Sequence, residues 1–243
     1  MIFAAETTVV LLAAGHGKRM LPLTETTPKP LLKIGELSLI EHHLHNLKTQ
    51  GFKDIVINIA HLGEQIRDYL GNGNKFGVTI SYSDESETGA LETAGGIAKA
   101  LTLIKSDSFL VINADIWTDY SFSSLLNKTA SPAYLVLVEN PDHNLNGDFS
   151  FSNNSSNLIK PGTKDKNYTF SGIAKYKKSL FTNLPDKAYP LAPIFNELVI
   201  SKQLKGELYN GQWNDIGTPQ RLARVNVIYN NSTKELSNDD DIF

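Results

Sequence analysis

Four short stretches of this chain carry residues that could do phosphate chemistry. Gly15, Gly17, Lys18 and Arg19 fall together in "LAAGHGKRM", Lys29 stands between two prolines in "TPKPL", Asp115 closes "FLVINAD", and Asp215 precedes Gly-Thr-Pro in "WNDIGTP". Glycines at the end of a strand let successive backbone N–H groups approach phosphate oxygens, and the adjacent cations neutralise the anion. Two familiar loops are excluded. A Walker loop needs Ser or Thr where Arg19 follows Gly17-Lys18, and a dinucleotide fingerprint needs a third glycine where Met20 stands. Pro28 and Pro30 restrict the backbone around Lys29, which places its ammonium on a stiff, extended strut. The stretch reads as a clamp that gathers a polyphosphate. Asp115 and Asp215 suit a hard divalent cation, which takes one or two carboxylates and completes its shell with phosphate oxygens; each is equally a common capping residue.

These side chains need a scaffold that brings them to one edge. Runs rich in Val and Ile alternate with stretches of helical period, the pattern of strand, crossover helix and parallel strand. Strands are expected at Thr8–Leu12, Asp54–Ile59, Val78–Tyr82, Phe109–Asn113 and Ala133–Val138. A helix follows Ser38, a plausible N-cap, and stops at Gly51; a second runs from Gly63 to Leu70. After Asn140 the chain turns polar and rich in Asn and Ser, with short alternating pieces that suit an antiparallel annex. Helices are expected again near Lys178–Phe181, Pro193–Lys202 and Pro219–Asn230. The fold class is α/β: a single Rossmann-like domain with a mostly parallel central sheet and a small antiparallel annex. Residues 1–231 form that domain, and residues 232–243 form an acidic, flexible tail.

Composition narrows the function classes. The 243 residues carry 23 basic and 26 acidic side chains, a net charge of -3, so no positive field spreads over the surface as duplex binding requires. Cysteine is absent, which removes disulfides, thiolate nucleophiles and thiolate metal sites. The apolar run near the start lacks the basic flank of a secretion signal and is too short to span a membrane, so a cytoplasmic protein is expected, with no nucleic-acid or membrane partner. In "EHHLHN", His42 and His45 share a helix face but have no further ligand at metal spacing, and the three histidines read as a partly solvated face. Trp117 and Trp213 read as packing residues.

The string "LAAGHGKRMLPLTETTPKPLLKIG" resembles the signature of the sugar-1-phosphate nucleotidyltransferases, and the likeness continues through "DIVINIAHLGEQI", "LETAGGI", "INADIWTDYSF" and "WNDIGTP". It spans almost the whole chain. The resemblance implies attack by a sugar 1-phosphate on the α-phosphorus of a nucleoside triphosphate, with pyrophosphate leaving and Mg2+ as cofactor. Arg19, Lys29 and Asp115 would be catalytic, and Asp115 and Asp215 would hold the metal. Leu12, Ala13, Ala14, Gly15, Gly17, Lys18, Arg19 and Lys29 would border the nucleotide, with Glu85, Ala90 and Leu91 at the base and Glu92 to Gly95 beneath it. The annex strings "NPDHNLNGDFSF" and "TFSGIAKY" resemble the branch that uses UTP and N-acetylmuramic acid 1-phosphate in peptidoglycan recycling; by that likeness Asn113, Asp148, Ser171 and Gly172 would contact the sugar or its phosphate. Ala114 and Ala94 depart from the family's more usual glycines. Two alternatives stay open: a guanylyl- or uridylyltransferase for mannose or glucose 1-phosphate, and a noncatalytic sugar-nucleotide sensor. The retained clamp and carboxylates favour an enzyme over a sensor.

Overall fold

The computed structural model describes residues 3–89, 91–128, 131–152, 155–162, 166–185 and 187–239. Its centre is β1 (Thr8–Leu12), whose "TVVLL" sequence has no polar side chain beyond the first position and so can be buried on both faces. After a loop and the small hairpin of β2 (Lys33–Ile34) and β3 (Leu37–Ser38), the chain enters α1 (Leu39–Thr49). Ser38 and Glu41 form a reciprocal capping box there, an arrangement that typically contributes about 1 kcal/mol. Next come β4 (Asp54–Ile59), α2 (Gly63–Leu70), β5 (Thr79–Asp84), α3 (Glu92–Ala100) and β6 (Ser108–Asn113).

β1 pairs in parallel with β4 and β6, and β4 with β5. The register sets Leu12 opposite both Asn58 of β4 and Asn113 of β6, so two asparagines flank the end of β1 in one row at the carboxyl edge. In open α/β sheets that edge is where ligands bind. Side chains alternate across the sheet: Val9 and Leu11 join the core beneath α1 and α2, and Val10 joins the core beneath α3.

The second half adds β7 (Ile116–Thr118), β8 (Ala133–Val138), β9 (Phe149–Phe151), β10 (Leu158–Ile159) and the long β11 (Asn167–Lys177). α4 (Leu191–Ile200), β12 (Leu204–Leu208), β13 (Trp213–Asp215) and α5 (Pro219–Asp239) complete it. β11 lies antiparallel to β6 and β8 along one stretch and to β9 at its start, with a bulge between Phe170 and Ile173. One strand thus belongs to both the central sheet and the annex.

Three expectations change. α3 was not anticipated, because Gly95 and Gly96 weaken helical propensity. Packing against neighbours overrides that: a β-carbon on Gly96 would lie 2.6 Å from Glu85 Oε1, and one on Gly95 2.9 Å from the Lys187 carbonyl. α5 runs on to Asp239 rather than stopping near Asn230, since no Pro or Gly interrupts it. The histidines do not form one solvated face: His43 is buried, His42 Nε2 donates to the Ile34 carbonyl at 2.9 Å, and only His45 is exposed.

Candidate functional site

The loop after β1 is built around Gly17, which adopts φ 63°, a left-handed conformation that disfavours side chains. Thr24 donates its hydroxyl to the Gly17 carbonyl at 2.9 Å, and the space a Gly17 β-carbon would take is closed by Thr24 at 3.0 Å and by Lys29 Cβ at 3.4 Å. The glycine loop, the "PLT" segment and Lys29 are therefore one packed unit. Pro28 is extended as expected, but Lys29 itself opens a 3-10 turn, Lys29–Leu31, closed by the Leu31 N–H on the Pro28 carbonyl at 2.9 Å. Pro30 favours that turn because its fixed φ is already helical.

Lys29 is aimed inward. It is 9% exposed, and its Nζ donates to Asp115 Oδ2 at 2.5 Å. Asp115 lies just beyond β6, and the Ala114 N–H donates to the Leu12 carbonyl, tying the two loops together. β13 pairs antiparallel with β7, setting Asp215 opposite Ile116, and the Ile216 N–H donates to the Asp115 carbonyl at 2.7 Å. Both aspartates thus stand at the same rim. Asp215 faces Arg221 through one oxygen and His143 Nε2 at 3.3 Å through the other.

A cavity of about 400 Å³ opens over this rim. Leu12, Ala13, Ala14, Gly15, Gly17, Lys18, Arg19, Lys29, Glu85, Leu91, Asn113 and Asp115 all line it, joined by Asn58, Glu92, Thr93 and Gly217. Ala90 lies outside the described residues. Lys18 and Arg19 are exposed and make no ion pair among the described residues, so their charges face the cavity mouth unneutralised.

Glu85 is a buried fixing point of the far wall. Its carboxylate accepts from Asn58 Nδ2 at 2.8 Å and from the Leu91 N–H at 3.2 Å, while Asn58 Oδ1 accepts from the Ala13 N–H at 2.6 Å. Burial pushes the Glu85 carboxyl above its ordinary value, and the Leu91 and Asn58 hydrogen bonds oppose that shift. Asn58 was not singled out from the sequence, although a polar residue near the end of the buried run "DIVINI" was the available signal. Glu92, which opens α3 at this wall, holds φ 59°, a strained conformation for a side-chain-bearing residue.

A second cavity of about 530 Å³ lies on the annex side and is lined by Asp215, Trp213, Tyr209, His143, Arg221 and Arg224 among others. Gly217 is the seam between the two. A β-carbon there would sit 2.7 Å from Arg221 Nη1, 2.8 Å from Asp215 Oδ2 and 3.3 Å from Arg19 Nη2. Trp213 is more than a packing residue, since it walls this cavity while its Nε1 donates to the Ser171 carbonyl at 2.9 Å. Trp117 does pack, edge-on against Tyr229.

Of the residues expected at the sugar, Asn113 lines the first cavity, whereas Asp148, Ser171 and Gly172 line neither. The Ser171 hydroxyl is buried in the β11 bulge, donating to the Val136 carbonyl and accepting from the Ile173 N–H. It has no free face to offer a ligand. Gly172, at φ 81°, leaves room for Asn113, whose amide would be 2.5 Å from an added β-carbon. Asp148 is exposed and accepts from the Phe170 N–H at 2.8 Å and from Asn144 Nδ2.

The donor chemistry fits Mg2+. Among the described residues no three or more His, Cys, Asp or Glu side chains gather to hold a metal alone. Asp115 lines the first cavity and Asp215 the second, joined through the Ile216 N–H on the Asp115 carbonyl, and one or two carboxylates with the remaining positions left to phosphates are what this hard ion accepts.

A sheet edge carrying a glycine loop, one buried and two exposed cations and nearby aspartates suits the binding of a phosphate-bearing ligand. The Nucleotidyl transferase family model matches residues 8–232, and the chain belongs to that family. Among its relatives is the N-acetylmuramate alpha-1-phosphate uridylyltransferase of Neisseria meningitidis, 44% identical over 226 residues that cover 90% of this chain and 96% of that protein. The mannose-1-phosphate guanylyltransferase catalytic subunit beta of Drosophila melanogaster is 27% identical over 94% of this chain, which spans 64% of the fly protein. The fold is shared with HddC from Yersinia pseudotuberculosis, at a TM-score of 0.76 and 21% identity, covering 92% of this chain and 99% of that one.

Proposed function

We propose that this protein transfers a uridylyl group from UTP to N-acetylmuramic acid 1-phosphate, giving UDP-N-acetylmuramic acid and pyrophosphate, as a cytoplasmic step of peptidoglycan recycling. The observation that carries the substrate assignment is the 44% identity to the Neisseria uridylyltransferase across 96% of its length. Residues 1–231 supply the reaction, and residues 232–243 stand outside it.

In this reading the nucleotide occupies the first cavity, its base against Leu91 and the Glu85 wall, its ribose along Leu12 to Gly15 and its phosphates at Gly17, Lys18 and Arg19. The sugar reaches toward the second cavity, and the two phosphates meet near Gly217. A sugar phosphate oxygen attacks the α-phosphorus in line and pyrophosphate departs, so no protein nucleophile is needed. Lys29 neutralises the reacting phosphates, and Arg19 holds the leaving pyrophosphate. Asp115 and Asp215 would hold Mg2+, which when bound stabilises charge on the phosphate oxygens. Catalysis then rests on positioning and charge neutralisation, with Lys29 held by its packing against the glycine loop and its bond to Asp115.

The test is pyrophosphate release from UTP, CTP, GTP and dTTP against the 1-phosphates of N-acetylmuramic acid, N-acetylglucosamine, mannose and glucose. UTP with N-acetylmuramic acid 1-phosphate is expected to give the highest kcat/KM. An inert N-acetylmuramic acid 1-phosphate beside an active mannose 1-phosphate and GTP would overturn the substrate assignment and leave the transfer chemistry standing.

A further inference from the structure

The second cavity holds an arginine that no other side chain among the described residues pairs with. Its lining cations are Arg221, Arg224 and, when protonated, His143; its lining acids are Glu139, Asp142 and Asp215. Arg221 and His143 both face Asp215, and Glu139 pairs with Lys166 at 2.8 Å. Arg224 is exposed and makes no ion pair or hydrogen bond among the described residues. Asp142, exposed on the loop after β8, is the one lining acid likewise without an ion pair among the described residues.

Position matters as much as charge. Arg221 and Arg224 are three residues apart on α5, so they share a helix face and Arg224 lies about 4.5 Å farther along the axis. α5 starts just past Gly217, so this direction leads away from the seam, where Arg19, Asp215 and Arg221 each approach Gly217. A phosphate at the seam is served by those nearer cations. Arg224 lies about one turn beyond Arg221 and shares the cavity lining with Trp213, at a place suited to a substituent of the sugar rather than to its phosphate.

We propose that Arg224 is a specificity-determining residue whose guanidinium binds the carboxylate of the sugar's lactyl side chain, an inference that rests on the substrate reading above. N-acetylmuramic acid differs from N-acetylglucosamine by that one ether-linked, carboxylate-bearing group. A planar guanidinium meets a carboxylate through two parallel hydrogen bonds, which rewards the charged substituent and leaves a neutral one without its partner. The bond is remote from the reacting phosphorus and does not change during transfer, so its loss falls on KM rather than kcat.

The experiment compares N-acetylmuramic acid 1-phosphate with its lactyl methyl ester, a substrate of nearly the same shape without the charge, using wild type and Arg224→Gln with UTP and Mg2+. Wild type is expected to prefer the acid. Arg224→Gln should raise KM for the acid roughly 10- to 100-fold, as expected for losing one charge-assisted pair, with kcat kept and the ester used as by wild type. Arg224→Lys should restore part of the preference. An unchanged KM for the acid, or an equal loss on acid and ester, overturns the role of Arg224 while the substrate reading stands. Wild type inert toward the acid but active on another sugar 1-phosphate overturns both.

Discussion

Replacing Gly217 by alanine tests whether the two cavities form one reaction centre. The added methyl would lie 2.7 Å from Arg221 Nη1 and 2.8 Å from Asp215 Oδ2, and bringing both to an ordinary 3.4 Å contact moves them by about 0.7 and 0.6 Å. Arg19 Nη2, at 3.3 Å, needs almost no movement. The displaced atoms are the ends of side chains, not backbone, and Gly217 has no positive φ that a side chain would strain. Folding stability should therefore fall by less than about 1 kcal/mol, the range of mild overpacking that neighbours can absorb. Catalysis is less forgiving, because a misplacement approaching 1 Å can cost on the order of 100-fold in rate. The expected result is a kcat/KM lowered by roughly that factor in a coupled pyrophosphate assay, with a urea midpoint close to wild type. Undiminished turnover would refute the idea that phosphates meet at this seam, and a large loss of stability would make Gly217 a packing residue instead.

Three other perturbations have defined outcomes. Lys29→Ala and Asp115→Ala should each lower kcat by at least about 100-fold, the scale of removing one preorganised charge-stabilising group, while circular dichroism and gel filtration match wild type. Retained activity would contradict their placement at the reacting phosphates. His43 is buried, with Nε2 unpartnered, and burial lowers its pKa to about 4. The unfolded ring protonates near 6.5, so the stability present above that pH is lost as pH falls toward 4, by roughly 3 kcal/mol in all; urea titrations from pH 7.5 to 4.5 should show this acid slope in wild type and a shallower one in His43→Leu. Gly96→Ala would press a methyl against Glu85 at 2.6 Å and Asn58 at 3.1 Å, so UTP should bind more weakly by calorimetry and stability should fall by about 1–3 kcal/mol.

Where local pattern determined structure, reading the sequence was enough. β1, β4 and β8 have the boundaries that their runs of Val, Ile and Leu imply, and α2 ends where Gly71 follows its apolar face. The nucleotide-side residues, Ala90 aside, come together because all follow strand ends in one row of a parallel sheet, a relation implicit in the strand order. The misses depend on distant partners. α3 is held through its first turn by the Tyr189 carbonyl, which accepts from both the Ala94 and Gly95 N–H groups, nearly a hundred residues away. His43 is core because its helix face turns toward Phe122, a contact that helical spacing alone does not reveal. Ser171 is consumed by a bulge, and bulges leave little trace in a single sequence. His143 and Arg224 lie about eighty residues apart and share a cavity only after the annex has folded.

Because β11 is one strand that pairs with β9 at its start and with β6 beyond its bulge, the annex and the central sheet share a single stretch of backbone. An acceptor with a different ring substituent would have to be accommodated by exchanging side chains on the cavity wall, not by tilting one half of the molecule. Diversification of such a scaffold is thereby channelled into exposed positions of α5 such as Arg224, which can vary while Asp215 and the nucleotide side of the first cavity stay undisturbed.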